Sequence, residues 1–223
     1  MQTTSGKSKD LTPEFETALA QYRHKIFIER LGWSLPVDEG LERDQFDHPE
    51  TIYVVTRESD GAICGCARLL PTTEPYLLSE VFRHLMDGKP IPRSRDVWEL
   101  SRFAAASVNP DSTIDTALNT RALLAEAVRT AAGQGAKRLI TVSPLGIERL
   151  LQRMGVHAHR AGPPMFAEGK PIFACWIEID DQTLSALHIP SGQALRSTSM
   201  LQAVDRILAA VVDSGLAMNS RHA

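Results

Sequence analysis

Thr51–Arg57 (TIYVVTR), Ala62–Leu70 (AICGCARLL) and Asp96–Ala104 (DVWELSRFA) decide the fold. β-Branched and aromatic residues fill the first, Ser59-Asp60-Gly61 is a turn, and the second returns, which predicts an antiparallel hairpin. The third alternates well enough for another strand. Arg68 lies inside the second run, and Glu99 and Arg102 lie inside the third. A buried charge is costly unless paired, so these three residues require partners. Trp33 to Pro49, mixed, charged and aromatic, reads as a long structured loop, and its LERDQFD supplies Glu42, Asp44 and Asp47. An ion-pair cluster between loop and sheet is therefore expected. Charges alone fit a cluster that pins the loop as well as one that meets a ligand. Phe27, Trp33 and Phe46 sit where the loop would cover the charged face, and Gly65 predicts a bulge or a close backbone approach.

Working outward, Thr12-Pro13 reads as an N-cap and first helical residue, and Phe15, Leu19, Tyr22 and Ile26 continue at helical spacing to about Arg30, with Gly32 as the stop. Tyr76–Met86 reads as a short helix, and Ala117–Ala132 as a long one ended by Gly133 and Gly135. Lys137–Ser143 reads as a buried strand, Ile147–Met154 as a short helix stopped by Gly155, Val156–His159 and Ile172–Ile179 as strands, and Asp181–Leu187 as a helical turn or two. The order predicts an α/β protein with a mixed central sheet flanked by helices. Residues 1–190 form the main domain. Residues 191–223 read as a polar linker and an extra C-terminal amphipathic helix (Leu201, Val204, Ile207, Leu208, Val211), packed on the domain or on a partner.

Composition narrows the function. With 24 Lys and Arg against 27 Asp and Glu, the 223-residue chain carries a formal charge of -3 and is not a polycation, so nucleic acid is not the expected partner. Cys64, Cys66 and Cys175 lack the histidines and spacing of a zinc site and read as reduced core side chains; no metal is expected. Met1–Leu11 is polar, without the apolar run of a signal peptide, and no apolar stretch has membrane-spanning length. A soluble, cytoplasmic protein is expected.

A specific series of motifs then appears in order. Arg23 with Phe27, ERLGW (Glu29 to Trp33), ERDQFD (Glu42 to Asp47), CARLLPTTEPYLL (Cys66 to Leu78), VFRHL (Val81 to Leu85) and WELSRFA (Trp98 to Ala104) closely resemble the acyl-homoserine-lactone synthases, the LuxI-type autoinducer synthases of bacterial quorum sensing. The resemblance runs from about Leu11 to Leu187. HAHRAGPP (His157 to Pro164) and FACWIEID are similar to the branch found in Burkholderia and relatives.

The resemblance implies a fold like that of the GCN5-related N-acetyltransferases. It also implies acyl transfer from acyl carrier protein to the amine of S-adenosylmethionine, followed by lactone closure and release of 5′-methylthioadenosine; S-adenosylmethionine is then a substrate, and no cofactor is implied. The family's charged and aromatic positions fall on Arg23, Phe27, Trp33, Asp44, Asp47, Arg68, Glu99 and Arg102. Glu99 is the expected general base, acting through a water, because the protonated amine must lose a proton before attack. Ser101, Arg102 and Phe103 mark a strand irregularity whose backbone N–H groups would meet the oxyanion. Arg68 and Arg102 would orient the substrate carboxylate, Asp44 and Asp47 would meet its positive groups, and Trp33 and Phe27 would wall the adenosine end. Leu100, Phe103, Leu123, Ser143, Met154 and Trp176 are the expected acyl pocket, octanoyl the expected chain, and Arg149 and Arg153 the carrier-protein docking face, which would attract an acidic helix.

Two other readings compete. An N-acyltransferase using acyl-coenzyme A would cradle pyrophosphate on a Gly-rich turn opening a helix, yet AAASVNPDSTID, between Phe103 and Ala117, has no glycine. A non-catalytic sensor of the same fold would have no need for Glu99 beside paired arginines.

Overall fold

The sheet begins with a segment that has no apolar signature. In the computed structural model, which describes residues 1–35, 37–167 and 169–190, Gln2–Lys7 is an edge strand, β1. The polar N-terminal stretch is thus part of the fold, paired along its length with β4: the half-buried Thr3 Oγ1 lies 3.2 Å from Thr56 Oγ1, and the buried Ser5 Oγ donates to Glu126 at 3.0 Å. A first helix, α1 (Pro13–Arg23), follows its Thr12 N-cap and proline as expected. The loop after it contains a small hairpin, β2 (Val37–Asp38) with β3 (Leu41–Glu42).

The chain continues through β4 (Ile52–Arg57), β5 (Ile63–Pro71), α2 (Leu77–Glu80), β6 (Val97–Ala104), α3 (Thr116–Gly133), β7 (Arg138–Pro144) and α4 (Gly146–Arg153). It then forms β8 (Ala158–Arg160), β9 (Met165–Ala167), β10 (Lys170–Glu178) and α5 (Asp181–Ala186). Two expectations shift: the Tyr76–Met86 helix divides into α2 and a separate 3-10 turn at Arg83–Met86, and the strand near His157 starts at Ala158. Gly65 marks a register break as expected, since Thr56 pairs with Gly65 but Arg57 with Ile63. The predicted linker and helix at 191–223 lie outside the described residues.

The strand order is β1-β4-β5-β6-β7-β10-β8, with β9 also on β10. Every pair is antiparallel except β6 with β7, which run parallel. Side-chain alternation divides the core into two faces. Val54, Leu69, Leu100, Leu139 and Ile177 pack beneath α3 on one, while Tyr53, Val55, Cys66, Leu70 and Ile140 point to the other, covered by α1 and α2.

Two irregularities position the site. Parallel pairing of β6 and β7 stops at Glu99–Ile140; beyond it β6 pairs only with β5, and β7 only with β10. The strands therefore part in the middle of the sheet. Across from β5, Arg68 pairs with Ser101 but Cys66 with Ala104, so β6 carries one extra residue, a bulge, with Arg102 at φ +51°.

Candidate active site

The site wall starts at the end of the first helix. At His24 the winding widens to a π-helix that runs to Arg30, closed by the Leu31 N–H to the Ile26 carbonyl at 2.9 Å. Gly32, at φ +64°, turns the chain in a left-handed conformation that suits glycine. The turn lays Trp33 on Phe27, ring centroids 4.9 Å apart and planes 26° from parallel. The sequence shows the helix but not its change of winding, which frequently marks functional sites.

The loop and sheet charges meet in one buried network. Arg23 donates from Nε to Glu42 at 2.5 Å and from both terminal nitrogens to Asp47 at 2.9 Å. Arg68 reaches Asp44 at 2.5 and 3.0 Å, Asp47 at 2.7 Å and Ser101 Oγ at 3.0 Å. Arg102 binds Glu42 at 2.9 Å and Asp44 at 2.7 Å. Tyr53, absent from the sequence expectations, donates to Asp47 at 2.6 Å. Three guanidinium groups face three carboxylates, so the wall is formally neutral. Burial opposes the charge on Asp47, but Arg23 and Arg68 hold its carboxyl well below the usual range.

Asp44 and Asp47 are thus engaged by arginines, the ion-pair cluster between loop and sheet that the sequence leads one to expect. Most donors of Arg68 and Arg102 are likewise held by the loop. Phe27 lies under Arg102, 5.7 Å from its ring centroid, and Phe46 under Arg68 at the same distance. Desolvation of both partners makes such a network costly to break rather than strongly stabilising in itself.

Glu99 sits elsewhere than expected. It is fully buried on the α2 face, and its two oxygens accept the N–H groups of Leu77 at 3.0 Å and Leu78 at 2.7 Å, at the start of α2. Burial raises its carboxyl to about 7, with the Leu78 N–H and the Arg68 charge opposing. It does not line the cavity, but it is the last β6 residue paired with β7.

Where β6 and β7 part, a cavity of about 250 Å³ opens. Leu31, Trp33, Ser101 and Arg102 line it together with Leu124 of α3, Ile147 and Leu151 of α4, and Met154 just after α4. Of the residues expected in an acyl pocket, Leu100, Phe103, Ser143 and Met154 line it. Leu123 does not: it is buried in the core under α3. Trp176 does not either, because strand alternation turns it to the opposite face, under Arg138 at 4.3 Å. Its neighbour Ile177 takes the wall position, and Thr141, bonded to Ser143 at 3.2 Å, is a lining residue the sequence reading missed. The bulge stands at the same wall, and the buried Cys66 thiol donates to the Arg102 carbonyl at 3.1 Å, fixing that peptide. Arg149 and Arg153 are exposed on α4, next to the cavity-lining Leu150. Among the described residues no group of His, Cys, Asp and Glu could hold a metal ion, and no helix is long and apolar enough to cross a membrane.

An apolar cavity beside stacked aromatics and a buried charge wall suits a substrate with a hydrocarbon portion. The family model described as autoinducer synthase matches residues 10–187. An acyl-homoserine-lactone synthase of Ralstonia solanacearum is 53% identical over 184 residues, covering 80% of this chain and 89% of that protein. The crystal structure of TofI in a ternary complex with an inhibitor and MTA superposes with a TM-score of 0.77 at 50% identity, covering 85% of this chain and 98% of that one. BjaI, a CoA-dependent acyl-homoserine lactone synthase solved with SAM and isopentyl-CoA, superposes at 0.75 with 27% identity, covering 92% and 97%. The mixed sheet is accordingly of the GCN5-related N-acetyltransferase type. By a family match over residues 10–187 and a relative 53% identical along most of both chains, this acyltransferase belongs to the autoinducer synthase family.

Proposed function

We propose that the protein makes N-acyl-homoserine lactone from S-adenosylmethionine and an acyl group, octanoyl in the simplest case, delivered by acyl carrier protein. The observation that carries this reading is the apolar cavity between the parted strands, with a strand bulge at its wall and the Trp33–Phe27 stack beside it. A cavity of roughly 150 Å³ accepts a six-carbon ring, so by proportion about 250 Å³ holds around ten carbons, and an eight-carbon chain fits.

In the first step the substrate amine, freed of its proton, attacks the thioester carbon; the N–C bond forms, the C–S bond breaks, and the thiolate takes up a proton. Backbone N–H groups at the Arg102–Phe103 bulge are suited to receive the oxyanion. Glu99, with its carboxyl raised to about 7, is a base of suitable strength that would act through a water, since its own oxygens cap α2. In the second step the carboxylate oxygen attacks the γ-carbon and the sulfonium leaves as neutral methylthioadenosine, so the protein chiefly has to fold the chain into position. Trp33 and Phe27 would stack against the adenosine, and Arg102 would orient the carboxylate. Arg23, Arg68, Asp44 and Asp47 hold the wall that positions them. Arg149 and Arg153, exposed on α4 beside the cavity, suit an acidic carrier-protein helix.

The test is purified protein with S-adenosylmethionine and a panel of acyl carrier proteins, products read by mass spectrometry. Lactone with methylthioadenosine is expected, strongest for octanoyl. N-acylated amine without methylthioadenosine, or binding without product, would refute it.

A further inference from the structure

We propose that Cys66 is a positioning residue for acyl transfer: its thiol holds the Arg102 carbonyl toward β5, which aims the Phe103 N–H into the gap between β6 and β7. The inference rests on the reading that the bulge receives the oxyanion. Cys66 is buried on β5, and its Sγ donates to the Arg102 carbonyl at 3.1 Å. In the sheet register Arg102 and Phe103 both fall between the pairs Arg68–Ser101 and Cys66–Ala104, so together they face Ala67. Arg102 takes φ +51°, a left-handed conformation that costs an arginine free energy and persists only where its surroundings impose it. Glu42 and Asp44 hold its guanidinium at 2.9 and 2.7 Å, and the thiol holds its carbonyl. The residue is pinned at both ends.

A trans peptide unit points its C=O and N–H in opposite directions. With the Arg102 carbonyl turned to Cys66 on β5, the Phe103 N–H points to the other side of β6, the side that β7 has left beyond Glu99–Ile140. Arg102 and Phe103 both line the cavity there. A fixed donor facing that space needs no reorganisation when negative charge develops on a thioester oxygen. A flip of the same peptide would turn the N–H to β5 and set the carbonyl dipole against the developing charge. The thiol opposes that flip, because losing its bond would leave a buried carbonyl unpaired. Burial pushes the thiol up to about 12, so it keeps the proton it donates. Cys66 is not among the cavity-lining residues, so it acts through the peptide and not on the substrate.

The experiment compares Cys66→Ala, which removes the donor, with Cys66→Ser, which keeps one at similar size, using S-adenosylmethionine and octanoyl carrier protein. Cys66→Val and Cys66→Thr repeat the comparison should the alanine variant unfold. A contact made only in the transition state lowers kcat and kcat/KM together when it is lost. Removing an oxyanion donor outright costs about a hundredfold or more, so a donor merely released from its aim should cost about tenfold. In Cys66→Ala kcat for lactone formation is therefore expected to fall about tenfold, with KM for both substrates unchanged, and Cys66→Ser to recover most of the loss. Parent-level kcat in Cys66→Ala, a raised KM with kcat unchanged, or equal losses in the alanine and serine variants would overturn the proposal. A parent that forms no lactone would instead refute the synthase reading, and this inference with it.

Discussion

Replacing Asp47 with asparagine measures how far the buried charges hold the site wall together. Asp47 accepts from Arg23 twice at 2.9 Å, from Arg68 at 2.7 Å, from Tyr53 at 2.6 Å and from the Asp44 N–H at 2.8 Å. Asparagine keeps the volume but turns an NH₂ toward two guanidinium groups and leaves the network one positive charge in excess. Removing one partner of a buried pair costs about 3–5 kcal/mol. Arg23 keeps Glu42 and Arg68 keeps Asp44, so the lower end applies, about 3 kcal/mol. For a chain of this size, about 2–4 °C of midpoint per kcal/mol gives a fall of roughly 6–12 °C. Thermal unfolding at pH 7 reads it. Glu50→Gln, which removes the exposed pairs with Lys7 and Lys9, provides the contrast and leaves the midpoint in place. The sign of the pH dependence follows from the depressed Asp47 carboxyl: its stabilisation is complete above the unfolded value of about 4 and disappears as pH falls toward the folded one, so parent and variant converge in acid. Equal shifts for Asp47→Asn and Glu50→Gln, or a gap that widens in acid, would refute the reasoning.

Glu99, raised by burial to about 7, has the opposite linkage: its contribution is full below the unfolded value of about 4.3 and is lost as pH rises through 7. The parent should therefore lose stability relative to Glu99→Gln between pH 5 and 8 in thermal scans, while the variant's kcat/KM for lactone formation falls and loses its limb near pH 7. Leu124→Ala enlarges the cavity wall formed by α3, so in a competition between octanoyl and decanoyl carrier protein the product ratio should move toward decanoyl; an unmoved ratio would remove Leu124 from the pocket. Paired Arg149→Glu and Arg153→Glu substitutions should raise the KM for acylated carrier protein, more so at low salt, and leave that for S-adenosylmethionine unchanged in steady-state kinetics.

The hairpin, the central strand and the long helix were legible because their patterns are strong and their ends carry turn residues. The charged cluster was legible for a different reason: Arg68, Glu99 and Arg102 interrupt apolar strands, and one long loop carries three carboxylates close together. What pairs with what was not. Sequence does not tell that Glu99 turns to backbone N–H groups of α2 while the arginines take Glu42, Asp44 and Asp47. Trp176 went to the wrong side because FACWIEI is apolar almost throughout, and a strand buried on both faces has no alternation to read. The edge strand Gln2–Lys7 escaped because its buried positions are threonine and serine, with no apolar alternation to read, and they are covered by β4 and α3, residues far along the chain. The π-helix left no signal, since a wider winding changes hydrogen bonds without changing composition.

That edge strand has a consequence for biosynthesis. Gln2–Lys7 leaves the ribosome before β4, its one neighbour in the sheet among the described residues, and well before Glu126, which its Ser5 binds across 121 positions. Pairing with β4 can follow as soon as β4 has emerged, whereas the buried bond from Ser5 to Glu126 waits for α3. The strand is therefore tied to the sheet by a neighbour about fifty residues on and locked from the α3 side only by a much later segment, a separation in sequence that slows its completion.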